Sequence, residues 1–245
     1  MPTDPPSAST PVGTCVDIPV TEQATAAGRA IEAGSFAIID AEAGPHAYTP
    51  AEWALVRRMI HASADFDLNG LTRFSPNAID QALALLTSNP TAPPRSLLAD
   101  VRMIPAGLAP ARLARFRLQP RVLIDLPEVL AAARADGTTR ATQAMRRAAA
   151  LGLLDGAIVA IGNAPTALQE LIRLIETDGH RPGLVLGMPV GFVGAAESKA
   201  ALARVGTVPW VLVSGRKGGS TLIVAAVHAL LALAAARDNA PAPAP

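Results

Sequence analysis

The sequence predicts a three-layer α/β sandwich, in which helices cover both faces of a mostly parallel sheet. Three apolar runs carry this prediction, at residues 157–161, 184–186 and 210–213. Each run ends in a glycine-containing turn and is followed by a helix-forming segment, which is the pattern of a parallel sheet. Such turns place backbone N–H groups at one edge of the sheet, so we expect a ligand crevice there.

Composition limits the kind of core and the kind of partner. Half of the 245 residues are hydrophobic but only 3% are aromatic, so Ala, Leu, Val and Ile must form the core. The 21 basic and 20 acidic residues give a net charge of +1. Nucleic-acid and membrane-surface binders need a basic excess, so neither partner is expected.

Cysteine usage and targeting signals indicate a cytoplasmic protein. Cys15 is the single cysteine, which excludes an intramolecular disulfide and a cysteine-clustered zinc site. No Asp/His cluster has the spacing of metal ligands, so no metal is expected. The sequence does not open with a signal peptide. The longest apolar stretch, 222–235, contains His228 and is predicted to be too short to span a bilayer.

The chain is expected to contain one folded domain, over residues 27–236. Residues 1–26 form an N-terminal extension whose beginning is rich in Pro, Ser and Thr, and we expect it to be disordered or loosely ordered. Residues 237–245 are rich in Ala and Pro and are expected to be a disordered tail.

A helix is predicted over 50–62, with Thr49 as its N-cap and Pro50 in its first position. Its buried stripe consists of Leu55, Val56, Met59 and Ile60.

The elements that follow are a loop, a helix, two strands and two helices. They are predicted at 65–73 (loop), from Ser75-Pro76 to about Leu86 (helix), at 96–100 and 121–125 (strands), and at 127–135 and 140–152 (helices).

His61 is the first candidate for chemistry. It follows Arg58 by three residues, so both project from the same side of the helix. It also lies in the last turn, where the helix dipole favours a protonated imidazole, and a proton donor or acceptor would suit that position. Position alone leaves open a histidine that only caps the last carbonyls. Asp65 and Asp67 follow closely and are expected to be solvated loop carboxylates.

The glycine-rich turns can be read as anion cradles or as tight strand-to-helix connections, and the residues alone leave both open. None has a nucleotide-binding spacing, because 215–220 has its Lys before the glycines and 187–194 is not G-x-G-x-x-G. No G-x-S-x-G nucleophile motif occurs. Basic side chains flank these turns and the helix ends: Arg57, Arg58, Arg73, Arg102, Arg140, Arg216 and Lys217.

Taken together, these segments resemble the precorrin-8X methylmutases of corrin biosynthesis. The resemblance runs from about residue 27 to 235. The matching segments are 35–39, 58–62, 74–76, 137–140, 161–168, 187–199 and 215–220.

This resemblance implies a flavodoxin-like fold and an isomerase that needs no cofactor. The family moves a methyl group from C-11 to C-12 of precorrin-8X and gives hydrogenobyrinate. By resemblance, His61 is the proton donor and acceptor, and Ser35 and Arg58 contact the substrate. The resemblance also implies a homodimer. It further implies a transient contact in which the product is handed to the next enzyme of the corrin pathway.

A tetrapyrrole polycarboxylate suits the glycine turns and the arginines, because its acetate and propionate arms need N–H donors and cations. The residues predicted to bind it, besides Ser35 and Arg58, are Arg140, Gly162, Asn163, Gly187, Gly191, Gly194, Ser198, Gly215, Arg216, Gly218 and Gly219.

Three alternatives stay open. The loop motifs are closest to the branch that uses metal-free substrate, but the same isomerisation of cobalt-precorrin-8 is the first alternative. The second is a non-catalytic carrier of hydrogenobyrinate. The third is a flavodoxin-like nucleotide binder, against which the missing phosphate motif counts.

Overall fold

The computed structural model describes residues 23, 25–86, 91 and 93–238. Its helices are α1 (Ala26–Glu42), α2 (Pro50–Ser63), α3 (Leu68–Leu71), α4 (Ala78–Leu86), α5 (Met103–Ala106), α6 (Pro110–Arg115), α7 (Pro127–Ala135), α8 (Arg140–Ala150), α9 (Pro165–Glu176), α10 (Ala195–Leu202) and α11 (Ser220–Asp238). Its strands are β1 (Thr72–Phe74), β2 (Arg95–Ala99), β3 (Leu118–Arg121), β4 (Ile158–Ile161), β5 (Leu184–Gly187) and β6 (Trp210–Val213). Most of the predicted N-terminal extension and tail, at 1–22 and 239–245, lies outside the described residues.

The six strands form one sheet in the order β1-β6-β5-β4-β2-β3. Strands β2 to β6 are parallel, and β1 pairs antiparallel with β6 at one edge. Numbered among themselves in chain order, the parallel strands have the order 2-1-3-4-5 of flavodoxin-like folds. The prediction of this fold is confirmed. The strand order reverses between β2 and β4, and ligands of such sheets commonly bind outside this point.

Helices cover both faces of the sheet, so the fold has three layers. Successive strand residues point to opposite faces. Leu97 joins the core formed with α2, α4 and α11, whereas Leu98 joins the core formed with α7, α8, α9 and α10. Small aliphatic side chains fill both cores, as the low aromatic content predicts.

Helix α11 is the central helix of one layer. It has 19 residues and, among the described helices, is the one long and apolar enough to cross a bilayer. The expectation that its apolar stretch is too short is therefore wrong. However, 78% of its most apolar window is buried within the fold, between the sheet and α2. A helix that is apolar on all sides and buried in this way is typical of the core of a soluble protein.

The prediction for α2 is confirmed in detail. Thr49 accepts a hydrogen bond from the Glu52 N–H, and the Glu52 carboxylate accepts one from the Thr49 N–H, which completes a capping box. The four predicted stripe residues are buried. The helix ends where Ala64 adopts a left-handed conformation, with φ of 54°.

One loop prediction and one strand prediction were wrong. The predicted loop at 65–73 contains α3 and the start of β1, which is too short to show alternation in sequence. Strand β3 lies at Leu118–Arg121 and not at 121–125. Pro120 is tolerated there because β3 is an edge strand. The apolar residues at 122–124 enter the cores from a turn instead of pairing with β2.

Helix α1 was not predicted as an element, and its pattern explains why. Only Glu32 and Ile39 are buried along it, whereas Ile31 is 73% and Ile38 is 57% exposed. A helix without a buried apolar stripe gives no periodic signal. Polar contacts with α2 hold it, together with Ile39 and Phe36, which pack in and against the core.

Candidate functional site

His61 lies in the last turn of α2, where it faces α1. Its Nδ1 and the Ser35 hydroxyl share a hydrogen bond of 2.7 Å. The Phe36 ring meets the imidazole edge-on, with 5.3 Å between ring centroids. These contacts fix the orientation of the imidazole ring, because one nitrogen is held by Ser35 and the ring itself is packed against Phe36.

Ion pairs join the same two helices. The Arg58 guanidinium donates to the Glu32 carboxylate, and both side chains are largely buried. Arg57 pairs with Asp40 at 2.6 Å, and the Trp53 indole N–H donates to the other oxygen of Asp40 at 2.7 Å. A buried ion pair costs desolvation, which good geometry and further hydrogen bonds must offset. Ser35, Arg58 and His61 therefore come together on a framework that the charged pairs hold in place.

This end of α2 lies at the edge of the sheet where the parallel strands end. Thr72 of β1 pairs with Val213, the last residue of β6. Asp65, four residues after His61, accepts hydrogen bonds from Lys217 in the loop after β6. The three glycine-rich turns share this edge, as the sequence predicts, and the contact between Asp65 and Lys217 brings the end of α2 that carries His61 to it as well.

The turn after β4 is occupied by a carboxylate of the protein itself. Asp100, at the end of β2, accepts hydrogen bonds from the N–H groups of Gly162, Asn163 and Ala164 at 3.1, 2.8 and 2.7 Å. Its side chain is buried, and burial raises its pKa while these N–H bonds act in the opposite direction. The backbone donors predicted at Gly162 and Asn163 thus serve an internal anion.

The turns after β5 and β6 pack against each other. The Gly219 N–H donates to the Met188 carbonyl at 2.9 Å, and the Gly191 N–H donates to the Arg216 carbonyl at 3.2 Å. At Gly218, an added Cβ would lie 2.2 Å from the Met188 oxygen. Here glycine permits a close approach of two chain segments.

Two further glycines and one serine of the predicted set have local roles. Gly187 lies within β5, where an added Cβ would lie 2.4 Å from Leu202. Gly194 begins α10 with a φ of 75°. The buried Ser198 hydroxyl donates to the Ala195 carbonyl at 3.0 Å, so it faces its own helix.

Exposed basic side chains lie near this edge of the sheet. Arg140 and Arg102 both pair with Asp125, at 3.5 and 2.7 Å. Arg216 is exposed and lies 5.6 Å from the ring centroid of Phe192, which is 85% exposed. Gly215 is exposed as well, with a φ of 74°.

Sequence reasoning missed the roles of several charged residues. Asp67 is exposed and Asp65 half-buried in a loop, as expected, but both also form ion pairs with Lys217, which the sequence did not indicate. Lys199 is buried, and its ammonium donates to the Lys217 carbonyl at 2.5 Å. A lysine within a short helix next to glycine turns gives no local signal for this contact, because its partner is 18 residues away. Within the described residues, no three His, Cys, Asp or Glu side chains are grouped so that they could hold a metal ion.

The fold and site define a class: a parallel α/β protein that holds a histidine and exposed arginines at the edge of the sheet where the parallel strands end. Comparison with known proteins specifies the family. The precorrin-8X methylmutase family model matches residues 30–233. A cobalt-precorrin-8 methylmutase of Leptospira interrogans is 44% identical over 222 residues, covering 89% of this chain and 99% of the relative. A precorrin-8X methylmutase of Pseudomonas aeruginosa is 42% identical over 207 residues, covering 83% of this chain and 94% of the relative.

A solved structure agrees with these relatives. The precorrin-8x methyl mutase of Thermus thermophilus superposes with a TM-score of 0.76 and 51% identity, covering 84% of this chain and 98% of that one. The chain therefore belongs to the precorrin-8X methylmutase family. It is an isomerase of cobalamin biosynthesis that transfers a methyl group within one molecule.

Proposed function

We propose that this enzyme converts precorrin-8X to hydrogenobyrinate by moving the methyl group from C-11 to C-12, with His61 as the proton donor and acceptor. The 2.7 Å hydrogen bond between Ser35 and His61 carries the proposal, because it holds an imidazole in one orientation at the crevice edge. In this proposal the imidazole exchanges a proton with the macrocycle while Ser35 holds its Nδ1.

The reaction is an isomerisation, so atoms balance without a co-reactant. The bond between the methyl carbon and C-11 breaks while the bond to C-12 forms, and the double bonds of the ring rearrange. His61 supplies a proton to a ring nitrogen near the migrating methyl and recovers a proton afterwards. Protonation polarises the π system, and general acid catalysis of this kind contributes about 10²–10⁴-fold in rate.

Arg58 and Ser35 contact the substrate in this proposal. Arg58 is oriented by the Glu32 carboxylate, and a guanidinium has several N–H donors, so it can bind a carboxylate arm of the substrate as well. The exposed Arg140 and Arg216 and the exposed glycine turns receive other arms. Among the predicted glycines, the exposed Gly215 is better placed for this than Gly162, Gly187 or Gly218, whose surroundings are closely packed.

The substrate's metal content is a separate choice. We propose metal-free precorrin-8X, which the loop motifs favour. The named relatives include enzymes of both cobalt-precorrin-8 and precorrin-8X, at nearly equal identity. Cobalt-precorrin-8 is therefore the second substrate to test. In either case, cobalt would belong to the substrate, and the proposed chemistry uses no resident cofactor.

We also propose that the enzyme is a cytoplasmic homodimer. Ile31 and Ile38 lie seven residues apart on α1 and are mostly exposed. Residues at this spacing share a helix face, and a second copy packed on that face would cover them. Since α1 also carries Ser35, the partner would border the substrate crevice. Sedimentation should show a dimer, and Ile31→Glu with Ile38→Glu should yield monomers; wild-type monomers would contradict this proposal.

The test of function is an absorption spectrum of the enzyme mixed with precorrin-8X and followed over minutes. Methyl migration makes C-11 trigonal and C-12 tetrahedral, which changes the conjugated path, so wild type should produce the corrin spectrum. His61→Ala should bind the substrate but lose at least about a hundredfold in rate. His180→Ala is the matched control, because His180 pairs with Asp155 away from the proposed site.

Each other outcome has a definite meaning. A fully active His61→Ala variant would remove His61 from the mechanism. Bands that shift on binding but never convert, even with wild type, would contradict turnover of this substrate. Conversion of cobalt-precorrin-8 alone would correct the substrate and keep the reaction.

A further inference from the structure

Lys217 joins two segments of the candidate site that are far apart in sequence. Its ammonium lies 2.7 and 2.9 Å from the two carboxylate oxygens of Asp65, and 2.6 Å from an oxygen of Asp67. Hydrogen bonds from its ammonium to the Asp65 and Asp67 carboxylates raise the pKa of Lys217, so its side chain is charged throughout the physiological range. One cation thus connects the loop after β6 to the segment that follows α2.

The loop that carries Lys217 has a fixed backbone. The buried Lys199, which is 1% exposed, donates from Nζ to the Lys217 carbonyl at 2.5 Å. Burial of Lys199 lowers its pKa to about 8, which reflects the cost of holding an ammonium there. Among the described residues, no carboxylate forms an ion pair with Lys199, so its observed partner is this carbonyl. Two lysines therefore hold the loop: Lys199 binds its backbone at the Lys217 carbonyl, and the Lys217 side chain binds the two aspartates.

The acidic side of the contact is ordered as well. The Asp67 N–H donates to an Asp65 carboxylate oxygen at 3.1 Å, and the Asp65 N–H donates to the Ser63 hydroxyl at 3.3 Å. Ser63 is the last residue of α2, two residues after His61. The aspartates thus continue the end of the helix that presents the imidazole.

From these contacts, we propose that Lys217 is a positioning residue: it fixes the loop after β6 at a set distance from the helix end that carries His61. The proposal rests on the function proposed above. In this proposal the Lys217 ammonium binds the protein's own aspartates and does not bind a carboxylate of the substrate. Arg216, the neighbouring exposed cation, remains available to the ligand.

Electrostatics offers a competing role, which the test must separate. Two aspartates near the crevice would repel a polycarboxylate substrate, and Lys217 neutralises them. If neutralisation were its whole role, removing all three charges would restore the wild-type KM and kcat. If positioning is its role, the variant without the three charges stays slow, because the two segments are no longer joined.

The experiment compares kcat and KM of precorrin-8X conversion for Lys217→Met, Lys217→Arg, Asp65→Asn/Asp67→Asn and the combined triple variant. We expect Lys217→Met to lower kcat/KM about tenfold, since small misplacements of site groups have large effects on rate. Lys217→Arg should recover most of the loss. The triple variant should be no slower than Lys217→Met, because all three changes remove the same contact.

The controls separate this proposal from global effects and from the proposed function. Arg147→Met removes an exposed ion pair with Glu128 on another part of the surface and should leave both constants unchanged. Lys217→Met with wild-type constants, or a triple variant restored to wild type, would overturn the positioning role. Neither result would contradict the proposed function. That function would be contradicted by an inactive wild type or by a fully active His61→Ala variant.

Discussion

The turns after β4 and β6 have the same pattern in sequence, a buried strand followed by glycine and then a helix, but they are completed in opposite ways. The N–H groups of the β4 turn bind the carboxylate of Asp100 from a neighbouring strand. The β6 turn is held through a carbonyl by Lys199 and through a side chain by two aspartates. The β4 turn is thus filled, because an internal anion occupies its N–H groups. The β6 turn is fastened, because Lys199 and Lys217 hold it, and it leaves Arg216 exposed.

The difference shows that a glycine-rich turn at the edge of a parallel sheet is not by itself a ligand site. The β4 turn lies at the point where the strand order reverses, which is the usual ligand position in such sheets. Asp100 takes the donors there. The candidate chemistry lies instead toward β6, where α2 brings His61 to the same edge.

The largest predicted effect is on the filled turn. Asp100→Ala removes the acceptor of three backbone N–H groups, of which that of Gly162 is buried and those of Asn163 and Ala164 are part-buried with the carboxylate in place, so we expect a loss of about 3 kcal/mol in the free energy of unfolding. Urea denaturation followed by circular dichroism measures it. A loss below about 1 kcal/mol would mean that water replaces the carboxylate and that the turn is open.

A smaller effect is predicted for the fastened turn. Gly218→Ala places a methyl group against the Met188 carbonyl and should cost about 2 kcal/mol in stability. Gly215→Ala is the matched control, because no atom lies within 4 Å of its added Cβ and only the φ of 74° is strained, at a cost of about 1 kcal/mol. Equal losses for the two variants would contradict the close approach of the β5 and β6 turns.

Asp100 also predicts a pH dependence with a definite sign. Its pKa is raised on folding from 3.8, mainly by burial, so the folded protein holds the proton more tightly. That contribution favours folding at low pH and is lost as the pH rises through the folded pKa. Relative to Asp100→Asn, which does not titrate, wild type should lose stability as the pH increases above about 4.

Denaturation of both proteins between pH 4 and pH 7 measures this difference. A difference that grows in favour of wild type with increasing pH would show that the three N–H bonds outweigh burial.

The smallest effect is predicted beside the exposed Arg216. Phe192 is 85% exposed, so Phe192→Ala should change the free energy of unfolding by less than about 0.5 kcal/mol. A thermal melt compared with wild type is sufficient. A clear drop in Tm would mean that the ring is packed in the folded protein. The turn after β5 would then be closed by the protein's own groups, as the turn after β4 is.

The prediction of α2 succeeded because its signals are local. Thr49, Pro50 and Glu52 specify the start, and four apolar residues at helical spacing specify the buried face. Helix α1 carries Ser35 but has no such face, so periodicity could not find it. Resemblance to a family singled out Ser35, and the tertiary structure placed it 2.7 Å from His61.

The sequence by itself determined the fold class, the three strand–turn–helix units and the position of His61 at a helix end, because each depends on residues that are neighbours in the chain. Only the tertiary structure decided which turn is filled, which is fastened and which cations remain exposed. Asp100 acts on a turn 62 residues away, and Lys217 on an aspartate 152 residues away. Charged side chains form ion pairs and hydrogen bonds with residues that the fold brings near them. The spacing of these residues along the chain is not periodic, so the sequence pattern does not indicate the pairs.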